Sequence, residues 1–244
     1  MAVHGKGSKI FIGGYDFSGQ GRSLDLTVAE TDIVDATTFA STAKAKASGA
    51  IKATIDHKGI FTNAQSGWDH WLHDRLADMS GQPITIIPGV PTEGNMVYNG
   101  EIKASKVKVP VKIGDIVGVE AAYEMQGQLG QGKVIAYEID TEQGAKVSSG
   151  YQISGVGKND MWRVTWHVVA GTIGNWYQLD LQESTSGDIS SYYANVSGST
   201  SQVVGVDSKV VTFPGSRGAW VRVVTTQATS TAKYVVAVSK VYKQ

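Results

Sequence analysis

The chain of 244 residues has no cysteine, no net charge and no long apolar run. Without cysteine, disulfides and thiolate metal sites are excluded. Lysine plus arginine number 22, as do aspartate plus glutamate. This balance argues against a protein that wraps nucleic acid, because such binding needs clustered basic charge. A net charge of zero also gives little long-range repulsion between copies, which favours self-association.

Segments that would target the chain to a membrane are also missing. No run approaches the ~20 apolar residues of a membrane span. The first residues, MAVHGKGSK, lack the apolar segment of a signal peptide. We therefore expect a soluble protein that is made in a cytoplasm and has no membrane partner.

The sequence contains no recognisable catalytic constellation. There is no G-x-S-x-G motif, and the short glycine pairs lack the spacing of a phosphate loop. The carboxylates are spread over the strands rather than paired in a cleft. His70 and His73 lie on the polar side of an amphipathic segment, where a solvated face accounts for them without a metal. We predict a protein that is not an enzyme and uses no cofactor or metal.

The sequence is instead rich in glycine, with 29 residues, and in alternating segments. Leu24 to Val28, Ile51 to Asp56 and Val117 to Gln126 alternate apolar with polar or small residues, which is typical of half-buried strands. At about residues 64–79 the period changes to that of an amphipathic helix. These patterns predict a mostly β fold with one α-helix.

A polar, glycine-rich stretch at 126–132 predicts a hinge, so we place a domain boundary near Gly132. The first predicted domain, 1–132, contains a loop at 35–49, the helix at about 64–79 and a hairpin at 97–128. The second, 133–244, has short strands with turns about every ten residues, which suggests a jelly-roll-like β-sandwich.

The second domain also allows a different function. It contains Trp162, Trp166, Trp176 and Trp220, which could form an aromatic face for stacking on sugars. Their alternation with valines favours core positions instead. A carbohydrate-binding β-sandwich protein is therefore the alternative hypothesis, and a hydrolase of a virion or secreted type is the third.

Several segments together resemble the major tail tube proteins of bacteriophages with long, non-contractile tails. They are Glu30 to Phe39, the lysine-bearing loop after it, Ile51 to Asp56, the helix end at Arg75 to Asp78, Pro83 to Gly89 and Val109 to Val117. The similarity covers about residues 1–132. The second half is similar to the extra β-sandwich that some of these proteins carry outside the tube.

This resemblance implies a fold of two packed antiparallel sheets flanked by one helix. It also implies that six copies form a ring, that their sheets join into an inner β-barrel, and that rings stack into the tube through which DNA is ejected. The implied partners are the chain itself, the tape measure protein, and the tail terminator and distal tail proteins, while DNA passes without specific binding. The implied location is the virion tail, assembled in the bacterial host cytoplasm.

The polar faces of the candidate barrel strands are then candidates for lining the lumen. These residues are Asp25, Thr27, Thr54, Asp56, Glu120, Ala122 and Glu124, with Gly118 beside them. Carboxylates and small side chains in a lumen would repel the DNA backbone and keep it from adhering. Lys52 and Lys103 fall on comparable faces and act against this effect.

The unpatterned stretch Asp35 to Gly49 is the candidate arm between subunits or rings, because loops of this length are rarely idle in a compact domain. Its candidate residues are Asp35, Thr37, Thr38, Phe39, Lys44 and Lys46. Phe39 is the only large apolar residue of this stretch and the natural anchor in a neighbour's pocket. A flexible surface loop is the alternative.

Overall fold

The structure is a computed structural model. It describes residues 7–30, 34–35, 46–47, 51–61, 81–111, 117–137, 144–153, 160–170, 176–185, 187–188, 190–196, 200–204, 207–213, 220–227 and 232–242. The predicted helix at about 64–79, with His70 and His73, lies outside these residues. So do Thr37, Thr38, Phe39 and Lys44 of the candidate arm.

The described residues form β-strands and one short 3-10 helix, Ser190–Tyr192. The strands in chain order are β1 (Lys9–Ile12), β2 (Tyr15–Asp16), β3 (Gly21–Glu30), β4 (Val34–Asp35), β5 (Lys46–Ala47), β6 (Ile51–Ile60), β7 (Gln82–Ile87), β8 (Met96–Lys108), β9 (Gly118–Met125), β10 (Gly130–Tyr137), β11 (Gly144–Val147), β12 (Tyr151–Gln152), β13 (Asp160–Ala170), β14 (Trp176–Ser184), β15 (Ala194–Asn195), β16 (Ser201–Val204), β17 (Asp207–Phe213), β18 (Trp220–Gln227) and β19 (Lys233–Tyr242). The prediction of a mostly β fold is confirmed.

The chain separates into two compact units that are discontinuous in sequence. Unit 1 comprises 1–19, 81–101 and 129–244, and unit 2 comprises 20–80 and 102–128. These units do not coincide with the predicted division at Gly132. Gly132 lies inside β10, opposite Val97 on one side and Ser239 on the other.

Close strand packing explains the glycine at this position better than a hinge does. A Cβ atom at Gly132 would overlap the carbonyl oxygen of Val238. Glycine allows such a close approach because it has no side chain. Strand packing thus accounts for the glycine at position 132.

Unit 1 is built around β13, which pairs with β17 on one side and β19 on the other. Trp162 and Trp166 of β13 are 0% and 2% exposed. They pack in one core with Leu179 of β14 and Val223 of β18, which belong to a second sheet. Two sheets thus enclose a sandwich core, and the core positions predicted for these two tryptophans are confirmed.

Side chains of β7, β8 and β13 form a buried polar cluster within unit 1. Thr85 Oγ1 lies 2.9 Å from both Thr165 Oγ1 and His167 Nε2. Asn99 donates to Thr165 Oγ1 at 3.0 Å and to the Ala237 carbonyl at 3.3 Å. The four side chains of Thr85, Asn99, Thr165 and His167 are each 0% exposed, so these hydrogen bonds offset the cost of burying polar groups.

Unit 2 contains an antiparallel sheet in the order β3-β6-β9-β8, to which β8 contributes its second half. Within the range 97–128 predicted as a hairpin, β8 pairs with β9 from Ile102 to Lys108, while Val97 to Asn99 pair with β10. One face of this sheet is apolar and buried, with Ile55, Val119 and Tyr123 at most 1% exposed. The other face is polar and carries the candidate site.

Candidate functional site

The seven lumen candidates lie together on one face of the unit 2 sheet. Residues directly opposite each other on antiparallel strands share a face, so the pairing defines rows across the sheet. The rows are Thr27–Thr54–Glu124–Lys103, Asp25–Asp56–Ala122–Lys106 and Ser23–Lys58–Glu120–Lys108. Gly118 continues this face opposite Ile60. We call this surface, from β3 to β8, the charged face.

Two lysines reach the charged face through a β-bulge. In a regular strand Lys106 and Lys108 would point the same way as Ala104, to the face opposite Lys103. The β8–β9 register shifts between Ala104 and Lys106, which reverses this alternation. The Ser105 hydroxyl donates to the Ala122 carbonyl at 3.1 Å, which ties the bulge to β9.

Sequence reasoning missed Lys58, Lys106 and Lys108 as members of this surface. Lys58 is on the same alternation as Thr54 and Asp56 and could have been included. Lys106 and Lys108 could not be assigned to this surface from alternation, because the bulge changes the phase of β8. The sequence carries one signal of the bulge. Ile102 and Ala104 are two positions apart, as in a regular strand, but the next apolar residue, Val107, follows three positions later.

The charged face is balanced rather than acidic. Its described rows hold the carboxylates of Asp25, Asp56, Glu120 and Glu124 and the ammonium groups of Lys58, Lys103, Lys106 and Lys108. Lys58 Nζ lies 3.9 Å from Glu120 Oε1. Lys103 is directly opposite Glu124, and Lys108 directly opposite Glu120. The expected surplus of carboxylates is therefore absent from the described rows, because the bulge adds two lysines.

A shallow depression of about 300 Å³ lies on this face. Asp25, Asp56, Lys58, Lys106 and Glu120 are among its lining residues. His57 also lines it and is 1% exposed. Burial lowers the pKa of His57 to about 4, so its imidazole is neutral at pH 7 and leaves the charge balance unchanged.

The described residues also bear on metal binding and on membrane spans. Among them, no cluster of three or more His, Asp or Glu side chains is placed to hold a metal ion. The described helical residues also include no segment with the length and hydropathy to cross a bilayer. The charged face thus supplies carboxylates and ammonium groups of opposite charge at neighbouring positions of the sheet.

The direction of the backbone N–H and C=O groups in β6 shows which residues of β3 point toward β6 and which point away from it. Ile60 donates its backbone N–H to Gln20, and Phe61 donates to Val117, both at 3.0 Å. Successive residues of β6 thus point alternately toward β3 and toward β9, as in a regular antiparallel ladder. Asp56 and Thr54, which are in phase with Ile60, consequently point toward β3.

Asp25 and Thr27 of β3 are the partners of Asp56 and Thr54. The backbone N–H and C=O groups of Asp25 and Thr27 therefore point toward β6. Leu24, Leu26 and Val28 alternate with them and direct their N–H and C=O groups away from β6. Among the described residues, β6 is the only strand with which β3 pairs. The outer side of β3 is therefore a free edge in this part of the chain.

The described part of the candidate arm is a short antiparallel pair. β4 and β5 pair Val34 with Ala47 and Asp35 with Lys46. Asp35 and Lys46, two of the six arm candidates, are thus brought together across this ladder. The pair follows the end of the β3–β6 hairpin, where Glu30 is opposite Ile51.

No protein-family model matches this chain. No curated protein matches it either.

Several solved structures are similar to it. A chain from the virion of the native gene transfer agent (GTA) particle is 19% identical over 53% of this chain and 98% of its own, with a TM-score of 0.41. The SPP1 Dit (gp 19.1) protein, described as a paradigm of the hub adsorption apparatus in Gram-positive infecting phages, is 10% identical over 96% of this chain and 99% of its own, with a TM-score of 0.35.

A chain of the phage p2 baseplate, in its activated conformation with Sr, is 6% identical over 91% of this chain and 98% of its own, with a TM-score of 0.35. The three chains thus come from a GTA virion, a phage hub adsorption apparatus and a phage baseplate. TM-scores of this size do not establish a shared fold, so the function has to be inferred from the described residues and the sequence motifs.

Proposed function

We propose that this protein is a structural subunit of a phage-type virion tail that self-associates into stacked rings, with the charged face lining the channel. The observation that carries the proposal is the unit 2 sheet. It has one buried apolar face, one charge-balanced face and, as far as the described residues show, an outer edge on β3 that pairs with no strand. Copies joined through that edge would present a continuous charged face to the inside of a ring.

The charge balance suits a channel through which DNA slides. A lining with surplus lysines would bind phosphates and release counterions, which holds DNA in place. A lining with surplus carboxylates would repel the DNA and oppose its entry. Lysines placed opposite carboxylates, such as Lys108 with Glu120, do neither. The wall would let DNA pass during ejection without specific binding.

The free edge supplies a route to ring formation. An unpaired strand edge invites pairing with another chain, and closing a ring satisfies every such edge. Six copies per ring is the number implied by the sequence resemblance. The tape measure, tail terminator and distal tail proteins would be the further partners in a tail assembled in the bacterial cytoplasm.

A proline at Val28 tests the edge. Val28 is 54% exposed, and its backbone N–H points away from β6. Val28→Pro removes this donor and leaves the β3–β6 hydrogen bonds in place. The matched control is Val28→Thr, which keeps the N–H and the β-branched shape. We expect rings or tubes of uniform diameter by negative-stain electron microscopy for the wild type and Val28→Thr, and none for Val28→Pro.

Two results would contradict this proposal. One is a wild-type protein that stays monomeric at all concentrations and salt conditions tested. The other is a folded Val28→Pro variant, with a wild-type circular dichroism spectrum, that still forms rings. Rings built by that variant would show that another surface joins the subunits.

The arm is proposed to connect subunits or rings. Because Asp35 and Lys46 are paired in register at the end of a two-stranded ladder, residues 36–45 can be replaced by Asn-Gly, which closes a two-residue hairpin. This replacement removes Phe39 and Lys44 and keeps the described pair. We expect folded protein that forms no stacked tubes. Normal tubes from this variant would favour the plain surface loop.

A further inference from the structure

We propose that the outer face of the second sheet in unit 1 binds a neutral glycan. This sheet has the order β11-β18-β14-β15, with β12 beside β18 and β16 beside β14. Tyr177, Leu179 and Leu181 of β14 are at most 3% exposed and point into the sandwich core. The residues between them, Gln178, Asp180 and Gln182, therefore point outward. The proposal does not rest on the role in a tail.

The outward residues form a row of planar polar groups that are already held in position. Gln182 donates to Asn195 Oδ1 at 2.8 Å and accepts from Arg222 Nε at 2.8 Å. Gln178 donates to Asp180 Oδ2 at 3.1 Å. Side chains fixed before binding lose little rotamer freedom when a ligand arrives, which favours recognition of a polar ligand.

Planar amides and carboxylates suit the adjacent hydroxyl groups of a sugar ring. In Gln178 and Gln182 one amide N–H and one lone pair of the amide oxygen are used within the sheet. Each amide therefore has one further N–H and one further lone pair for a ligand, and a carboxylate offers two acceptor oxygens. A sugar hydroxyl is both a donor and an acceptor, so one planar group can engage two neighbouring hydroxyls. The row along β14 repeats such groups at every second residue, which matches a ligand with repeated hydroxyl pairs.

The same face provides apolar contact beside the polar row. Val147 of β11 and Asp180 of β14 are both opposite Val224 of β18, so the three residues share the outer face. Val147 is 50% exposed. These valines would contact the C–H side of a sugar ring while the amides contact its hydroxyls. At one end of the row the Arg222 guanidinium lies 4.0 Å from the centre of the Tyr193 ring, an aromatic group that a sugar could also contact.

Charge favours a neutral glycan over an anionic one. Asp180 and Asp188 bring two carboxylates to this region, and Tyr193 donates to Asp188 Oδ1 at 2.8 Å. Arg222 is the cation among these residues, and its Nη1 already donates to Ser190 Oγ at 3.1 Å. An acidic polysaccharide would therefore meet a small excess of negative charge.

The test uses the full chain and a fixed set of saccharide probes. The neutral probes are cello-, malto- and chito-oligosaccharides and a galactan oligosaccharide, and the anionic probes are hyaluronan oligosaccharides and poly(glycerol phosphate). Binding is measured by saturation-transfer NMR and isothermal titration calorimetry. We expect at least one neutral probe, and no anionic probe, to bind to the wild type.

Variants locate the binding on the proposed face. Gln182→Ala and Asp180→Ala should each weaken binding by roughly 3- to 10-fold, as expected for one lost hydrogen bond. Asp180→Asn keeps the shape of the side chain and serves if Asp180→Ala does not fold. The control is Thr212→Ala, an exposed position on β17 of the other sheet, which should bind like the wild type.

Three results would overturn the proposal. They are the absence of binding by every neutral probe, binding by anionic probes alone, and binding that is equal in the wild type and the folded Asp180 and Gln182 variants. The first would identify the row as ordinary cross-strand pairs on a solvated sheet. None of them bears on ring formation, which is measured by microscopy.

Discussion

At the scale of single residues, repulsion between Asp25 and Asp56 is expected to lower the free energy of unfolding. They are directly opposite each other on β3 and β6, and both are exposed. Like charges at directly opposite positions destabilise a sheet. We expect Asp25→Asn to raise the free energy of unfolding by about 0.2–1 kcal/mol in urea denaturation at low salt.

Salt and a matched substitution check this prediction. The gain from Asp25→Asn should shrink at high ionic strength, because exposed charges are screened. Thr27→Val, which is opposite the neutral Thr54, removes no charge and keeps a β-branched side chain, so its effect on stability should not depend on salt. A gain that is independent of salt would show that repulsion between the two carboxylates is not its source.

The two described histidines make stability depend on pH. Burial lowers the pKa of His57 to about 4 and that of His167 to about 3. Below about pH 6.5 the unfolded chain binds a proton at each position and the folded chain does not. The free energy of unfolding therefore falls as the pH falls from about 6.5 toward 4, by up to about 1.4 kcal/mol per pH unit for each histidine.

His167→Gln tests the larger of these effects. Glutamine keeps a hydrogen-bonding group near Thr85 and does not titrate in this range. We expect the variant to be less stable at pH 7 but to lose less stability between pH 6 and pH 4 than the wild type does. Tryptophan fluorescence during thermal unfolding reports on this region, because Trp166 lies on the same strand. An unchanged pH dependence would contradict the assignment.

At the scale of one element, the bulge at Ser105 decides which residues of β8 belong to the charged face. Deleting Val107, which lies outside the bulge, leaves one residue too few for this register and turns either Lys106 or Lys108 toward the face that buries Ala121 and Tyr123. Burying an unpaired ammonium group is strongly unfavourable. We expect the deletion to lower the free energy of unfolding by more than about 2 kcal/mol, measured by urea denaturation.

Ser105→Ala is the milder comparison for this prediction. It removes the hydroxyl that donates to Ala122 and keeps the residue count of the bulge. Its expected cost is at most about 0.5–1.5 kcal/mol, the usual contribution of one hydrogen bond. If deleting Val107 costs no more than Ser105→Ala, the register that follows the bulge does not control the orientation of the lysines.

At the scale of the whole molecule, the chain and its charged face are both balanced. The double variant Glu120→Gln/Glu124→Gln leaves two surplus lysines on each described charged face. We expect it to bind double-stranded DNA with a steep dependence on salt, because phosphate contacts release counterions. The wild type should show no such binding in fluorescence anisotropy. In an assembled tail the same variant should slow genome ejection.

The reverse change is the control for charge. Lys106→Gln/Lys108→Gln leaves two surplus carboxylates and should bind no DNA at any salt concentration. If both double variants bind DNA alike, the charged face does not govern contact with DNA. If neither binds and ejection is unchanged, the face does not line a channel.

The alternation of apolar and polar residues along a strand predicts which residues share a face. Trp162 and Trp166 were predicted in the core because they alternate with valines, and burial of a large apolar face is a local property of a strand. The seven lumen candidates were predicted to share polar faces for the same reason, and the register places them together. Their role in a lumen stays a prediction.

The sequence by itself determined the mostly β fold, the polar and apolar sides of most strands, and the absence of net charge, because these follow from period and composition. Only the tertiary structure decided the discontinuous units, the tight packing at Gly132, the pairing of β3 with β6 alone among the described strands, and the balance of the charged face. Each of these depends on pairing between strands distant in sequence. One extra residue in β8 changes which of its later side chains lie on the charged face, and only the pairing with β9 shows this change.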